Sequence, residues 1–297
     1  MNADRVAAWF PGTRRAVRSL APVGATLVVL FAGSSLGTPA TAGAQGLLAL
    51  GDSYSSGEGV PPFDQGTDTR TNRCHRSQGA WPILAATDLA LPAVSRACSG
   101  AETSEIEDQL APIAPAPSIV TLTAGGNDVH FRDVLTTCVL RLQSCDRYYT
   151  RRGIDRVEDD IHDVENALIQ LYSRVAAVAR DARIVVVGYP RIFPHPVRSG
   201  KGNCGAAFLI SAGEADYLNE KTDSLNRAIR RATARAGVEF VDVSEAFRGH
   251  ELRCGRKSWV HRLELLRKRR LVAKASFHPD ARGHRRIAEL VVAHVNR

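Results

Sequence analysis

The 297-residue sequence has no uninterrupted apolar run of the ~20 residues that a membrane-spanning helix needs. Its longest apolar stretch, Leu20 to Ala32, is broken by Pro22, Gly24 and Thr26. Its six cysteines include no C-x-x-C pair with a matching second half, which argues against a zinc site, and no metal is expected. No stacking aromatics interleave with the basic residues, which argues against a nucleic-acid partner. No internal repeat and no interdomain linker appears, so a string of small domains is not expected. The remainder, 44% hydrophobic and 24% charged, is the composition of a globular protein and not of a disordered one. At this length, one α/β core of about 200–250 residues is the natural reading.

The formal net charge is +8, but four arginines and one aspartate precede residue 44. Without them, 35 basic residues face 30 acidic ones, an excess of +5. Much of that excess lies between Arg248 and Lys274, including Arg267-Lys-Arg-Arg270. Such a run reads as a solvated helix face or as a weak contact for an anionic surface of lipid or cell-wall polymer.

The N-terminus has the order of an export signal. Arg14, Arg15 and Arg18 precede the apolar stretch, and small residues then lead to Ala40-Thr-Ala42 and Ala42-Gly-Ala44, both of the form A-x-A. Residues 1–44 are therefore expected to be a signal peptide cleaved near 42–44, leaving a secreted domain of residues 45–297. Thr13-Arg14-Arg15 also fits a twin-arginine signal, so the export route stays open. An even number of cysteines in an exported chain implies disulfides. Six cysteines allow 15 connectivities, and spacing alone does not choose among them.

Five segments read as strands and alternate with helices. Leu47 to Leu50 is short, apolar and closed by Gly51; Ala93 to Cys98 and the β-branched Ser118 to Ala124 follow, and Arg183–Gly188 and Val238–Val243 complete the set. Helices are expected over Trp81–Leu89, Glu102–Leu110 and Ala212–Ala236, and from about Asp280 onward. One long helix is expected along the stripe Ile154, Val157, Ile161, Val164, Leu168, Leu171, Val175 and Val178. Pro61 to Gln78 reads as a long loop. Strands alternating with helices predict a three-layer α/β/α sandwich around a five-stranded parallel sheet, of flavodoxin-like type.

Four short motifs lie where such a fold exposes side chains. Ser53, in Gly51-Asp52-Ser53-Tyr54-Ser55-Ser56-Gly57-Glu58-Gly59, follows the first strand. Gly100, in Cys98-Ser-Gly-Ala-Glu-Thr103, follows the second. Asn127, in Ala124-Gly-Gly-Asn127-Asp128, follows the third. His278, in Ser276-Phe-His278-Pro279-Asp280, opens the last helix. Alone, each is ordinary: a Gly-Asp-Ser turn, a glycine turn, an Asx turn, one of nine histidines. A second serine motif, Gly33-Ser-Ser-Leu-Gly37, falls inside the export signal and is taken as chance. Together the four supply a hydroxyl nucleophile, a base and amide donors for an oxyanion, the needs of acyl transfer.

In this order the four motifs resemble the blocks of the SGNH or GDSL hydrolases, in particular the secreted actinobacterial lipases and esterases. The resemblance implies a serine ester hydrolase of the lipase, esterase or phospholipase type, without a cofactor, acting on lipid or other acyl esters, and expected to be a monomer. It implies Ser53 as nucleophile and His278 as base. It implies an oxyanion hole of the Ser53 and Gly100 N–H groups and the Asn127 side chain. It also implies neighbour pairing of the cysteines, Cys74–Cys98, Cys138–Cys145 and Cys204–Cys254. Many members place an aspartate three positions before the histidine, where this chain has Ala275. The expected substitute is a backbone carbonyl, that of Ala275 or a near neighbour, with Asp242 as fallback. Two other functions fit the same residues less well: deacetylation of a glycan by the same site, and a non-catalytic surface-binding module using residues 248–274.

Overall fold

The computed structural model describes residues 45–112, 116–140, 144–194, 210–252, 257–266 and 271–297. The expected signal peptide, the pair Cys204–Cys254 and the run 267–270 lie outside the described residues. Among those described, no helix is long and apolar enough to cross a membrane.

The first half of the domain runs β1 (Leu47–Gly51), a one-turn α1 (Ser53–Ser56), α2 (Trp81–Asp88), β2 (Ala93–Ser95), α3 (Thr103–Asp108) and β3 (Ile119–Thr123). Then come α4 (Phe131–Leu140), α5 (Cys145–Tyr149), a hairpin of β4 (Thr150–Arg151) and β5 (Ile154–Asp155), α6 (Arg156–Val178) and β6 (Arg183–Val187). The chain closes with α7 (Ala212–Ala236), β7 (Glu239–Val241), a hairpin of β8 (Leu265–Leu266) and β9 (Leu271–Val272), and α8 (Ala281–Val295).

Five strands form one parallel sheet in the order β2-β1-β3-β6-β7. Every residue of β1 and β3 is buried, as expected of central parallel strands covered on both faces. Helix α2 packs on α8, while α3 and α7 pack on α6. The α/β/α sandwich expected from the alternation is the fold observed. Leu168, Leu171 and Val175 of α6 are fully buried, each contributing roughly 1.5–3 kcal/mol of apolar burial. The chain passes from β1 outward to β2 on one side and continues from β3 to β6 on the other. In this topology the crevice at the carboxyl ends of β1 and β3 is the switch point where ligands bind.

Local chemistry sets the ends of the helices. Helix α7 starts on a capping box of Ser211 and Glu214 and stops at Gly237, which has φ 68°. The start of α6 differs from the expected stripe. Arg152 and Gly153 both adopt positive φ and turn the chain into the β4–β5 hairpin. Asp155 then caps the helix by accepting from the Val157 N–H at 3.0 Å. Ile154 therefore stays in the hairpin and is 58% exposed. Helix α4 was not expected, although Val134, Leu135, Cys138 and Val139 recur at helical spacing and are buried.

Candidate active site

Gly51 ends β1 with φ 116°, and a Cβ there would lie 2.5 Å from the Thr123 carbonyl oxygen. Only glycine lets β1 turn this sharply against β3. The next residue, Asp52, is the N-cap of α1 and accepts from the Tyr54 N–H at 2.9 Å. Its buried carboxylate also accepts from Thr123 Oγ1 and from the Tyr189 hydroxyl, each at 2.5 Å. Burial nevertheless pushes its pKa up to about 6. With three donors holding Asp52, Ser53 is fixed at the first position of the helix. Its N–H meets no backbone or side-chain acceptor among the described residues.

His278 Nε2 lies 2.8 Å from Ser53 Oγ. The histidine segment is tied antiparallel to residues 259–261. His261 N–H donates to the His278 carbonyl, Phe277 N–H to the His261 carbonyl, and Asp280 N–H to the Trp259 carbonyl, at 2.8, 3.0 and 2.8 Å. Phe277 sits at φ 68°, a strained setting for a bulky residue, and Tyr54 donates its hydroxyl to the Phe277 carbonyl at 3.1 Å.

The imidazole Nδ1 faces the Ser276 carbonyl at 3.2 Å, and the Lys274 carbonyl also reaches the ring. The Ala275 carbonyl, the first expected partner, instead accepts the backbone N–H of His278 at 3.1 Å. The cause is the tight turn in which Ser276 N–H donates to the Ala273 carbonyl, followed by the left-handed Phe277. Asp242 is engaged by Arg230 and by the Ser244 N–H and takes no part. Burial lowers the His278 pKa to about 4, so the ring is neutral at pH 7.

The two remaining motifs are stitched to this pair. Gly100, at φ 91°, lies in the turn after β2, and its N–H also meets no acceptor among the described residues. Asn127 Nδ2 donates to the Ala101 carbonyl at 2.9 Å, which leaves its second amide hydrogen free for a ligand. Asp128 accepts from the Thr103 N–H and hydroxyl at 3.1 and 2.7 Å, joining the Asn127 turn to the start of α3. The Gly126 N–H donates to the Tyr189 hydroxyl at 3.0 Å, which in turn donates to Asp52.

The Gly100 turn has its own clamp. Ser99 donates its hydroxyl to Glu58 Oε2 at 2.7 Å, and His75 Nδ1 meets the same oxygen at 2.7 Å. Ser99 N–H donates to the Cys74 carbonyl, and a disulfide joins Cys74 to Cys98. A second disulfide links Cys138 to Cys145.

Asp52, Ser53, Gly100, Asn127 and His278 all border one cleft of about 340 Å³. Phe131, Leu135, Pro190, Ile192, Leu225 and Val272 make its apolar wall. Among the described residues no cluster of His, Cys, Asp or Glu could hold a metal ion. Tyr189, Thr123 and Glu58 were not anticipated from sequence. Tyr189 carried one usable signal: it follows β6 at the same carboxyl edge of the sheet that carries Ser53 and Asn127.

A hydroxyl against a neutral imidazole, with unpaired amide donors beside an apolar cleft, is the equipment of an ester hydrolase. The chain belongs to the GDSL-like Lipase/Acylhydrolase family, whose model matches residues 49–286. It is 33% identical over 264 residues to Lipase 1 of Streptomyces coelicolor, across 86% of this chain and 91% of that protein. The crystal structure of a phospholipase A1 from Streptomyces albidoflavus superposes with a TM-score of 0.70 at 34% identity, covering 86% of this chain and all of that one. The extracellular lipase of Streptomyces rimosus superposes at 0.68 and 30% identity, with the same coverage. The chain is an ester hydrolase of the lipase and esterase type.

Proposed function

We propose that Ser53 is the nucleophile and His278 the general base of this hydrolase, and that its substrates are lipid-like acyl esters. The observation that carries the reading is the 2.8 Å contact between Ser53 Oγ and the neutral His278 ring. His278 Nε2 takes the Ser53 proton as Oγ attacks the acyl carbonyl. The oxyanion that forms lies toward the N–H groups of Ser53 and Gly100 and the Asn127 amide, where one such donor is worth roughly 10²–10³ in kcat. His278 then returns the proton to the leaving alkoxide, and the acyl-serine is hydrolysed by a water that His278 activates. The positive charge on the ring is supported by the Ser276 carbonyl at Nδ1, in place of a carboxylate.

Ser53→Ala in the folded, oxidised protein is expected to abolish p-nitrophenyl ester hydrolysis; retained activity sinks the assignment. The apolar wall of Phe131, Leu135, Ile192 and Val272 favours acyl chains over acetyl. An acyl-length series should therefore peak at C8 or longer, and a preference for acetyl would point to glycan deacetylation instead.

The same reading makes residues 1–44 a cleaved export signal and residues 45–297 a secreted, monomeric domain. The arginines followed by an apolar stretch and A-x-A sites support it, as does the resemblance to an extracellular lipase. N-terminal sequencing of protein from the culture medium should start between Gly43 and Gln45. A first residue near Met1 contradicts the cleavage.

A further inference from the structure

We propose that Arg132 and Lys274 form an anion subsite in the cleft that binds the phosphodiester of a phospholipid while its acyl ester lies at Ser53. This rests on the reading of the cleft given above and names the class of ester it selects.

Both residues border the cleft that contains Ser53 and His278. They come from different elements: Arg132 from the first turn of α4, Lys274 from the segment after β9. Arg132 Nη2 donates to the Val272 carbonyl at 3.0 Å, which anchors the guanidinium to the strand that leads into Lys274. One of its five N–H donors is thereby used, and the rest remain for a ligand. Neither cation pairs with a carboxylate among the described residues.

Cations elsewhere on the described surface are of both kinds, paired and unpaired; these two are set apart by lining the cleft. Arg191, Arg230, Arg231, Arg282 and Arg285 all hold carboxylates. The carboxylates nearest in influence to the pair are already committed. Glu58 is buried and shared by Ser99 and His75, and Asp68 meets His75 Nε2 at 3.3 Å. Asp133 and Glu102 also border the cleft, but both are exposed, and Glu102 caps its own helix.

Arg132 and Lys274 are two like charges at the edge of an apolar chamber: partial burial is the main cost to the Lys274 charge, Glu58 offsets part of it, and repulsion from Arg73 and Arg132 adds to it. A bound anion removes that repulsion. Guanidinium plus ammonium suits a phosphate, the first by its fork and the second as a point charge. In a glycerophospholipid the phosphodiester lies only a few bonds from the acyl ester, so one molecule can occupy both places. Lys274 also presents its carbonyl to the His278 ring, which couples the subsite to the base through one residue.

The test compares a charged and a neutral ester with the same acyl groups: dihexanoyl phosphatidylglycerol and dihexanoylglycerol, both below their micelle concentrations. The readout is the ratio of their kcat/KM values. In Arg132→Gln and in Lys274→Gln this ratio should fall about tenfold, the usual scale for a hydrogen bond to a charged group. Lys274→Arg, which keeps the charge, should stay close to wild type. The wild-type preference should shrink as salt rises.

An unchanged ratio overturns the proposal, as does an equal loss on both esters. A loss seen only on anionic vesicles assigns the residues to surface adsorption and also overturns it. Inhibition by inorganic phosphate without any wild-type preference for the charged ester makes the site one for free phosphate, with the same consequence. Each of these outcomes is separate from the Ser53→Ala result, which alone decides the underlying reading.

Discussion

The hydroxyl of Tyr189 donates to the buried carboxylate of Asp52 at 2.5 Å and accepts from the Gly126 N–H at 3.0 Å. One side chain thus joins the turn that carries Ser53 to the turn that carries Asn127, although Asp52 and Tyr189 are 137 residues apart. Tyr189 is a positioning residue that does its work through Asp52. Tyr189→Phe leaves the fold intact but removes a donor from one buried group and an acceptor from another, at a cost of about 1–3 kcal/mol. The expected result is a kcat reduced by roughly tenfold or more, with KM for a short p-nitrophenyl ester little changed. A rise in KM at constant kcat would instead place Tyr189 in substrate binding.

The pH profile follows from His278. The base must be neutral to accept the Ser53 proton, and burial lowers its pKa from 6.5 to about 4. A depressed pKa keeps the ring neutral further into acid. The acid limb of kcat/KM is therefore expected well below pH 6.5, near 4. A limb at 6 to 7 contradicts a buried, neutral imidazole. His284, lowered to about 3 by burial, adds a related effect on stability. Both histidines bind protons more readily when unfolded, so stability is complete above about pH 6.5 and declines as pH falls toward their folded values.

Asn127 is a proposed donor to the oxyanion, and its removal should be costly. Asn127→Ala keeps the turn, because Asp128 remains bound to Thr103. A fall in kcat of about 10²–10³ is expected, with a smaller effect on KM. Steady-state kinetics on one soluble ester decide it.

Asp242 supplies the control. It pairs with Arg230 on the surface and lies outside the cleft lining, so it does not orient His278. Asp242→Asn should leave kcat within about twofold and change stability by about 0–1 kcal/mol, the usual range for an exposed pair. A large loss of kcat would restore a Ser-His-Asp triad.

The two disulfides among the described residues should differ in kind. Cys74–Cys98 spans 24 residues and Cys138–Cys145 spans 7. On loop entropy their losses cost roughly 3.5 and 2.5 kcal/mol. Only the first flanks the Gly100 turn. A Cys74→Ser, Cys98→Ser double variant is expected to lose kcat at temperatures where it is still folded. The corresponding Cys138 and Cys145 variant should lose thermal stability alone. Circular dichroism melts run beside the kinetics separate the two effects.

Much of this architecture was legible because its signals are local. The run of β1 has no polar side chain, and β3 and β6 add only β-branched threonines and a leading arginine to theirs. Ser211, Glu214 and Gly237 mark both ends of α7. Ser53, Gly100, Asn127 and His278 each sit in a short motif at a strand end or helix start. What stayed hidden depends on partners far apart in the chain. The Tyr189 contact with Asp52, and the clamp of Glu58 on Ser99 and His75, have no sequence pattern. Orientation of His278 turned on one dihedral angle, that of Phe277, which sends the Ala275 carbonyl to the backbone and leaves the ring to Ser276. Ile154 misled for a related reason, since a cap at Asp155 overrode the apolar periodicity.

Ser53 and His278, the proposed nucleophile and base, are 225 residues apart, and His278 belongs to the segment that seats the final helix. A chain that emerges N-terminus first therefore carries Ser53 long before it carries His278. Until α8 docks on α2 and the Trp259–His261 segment pairs with Phe277–Asp280, the serine has no proton acceptor. On the proposed assignment, catalytic competence is the last property the molecule acquires, since a copy that ends before His278 lacks the base for Ser53.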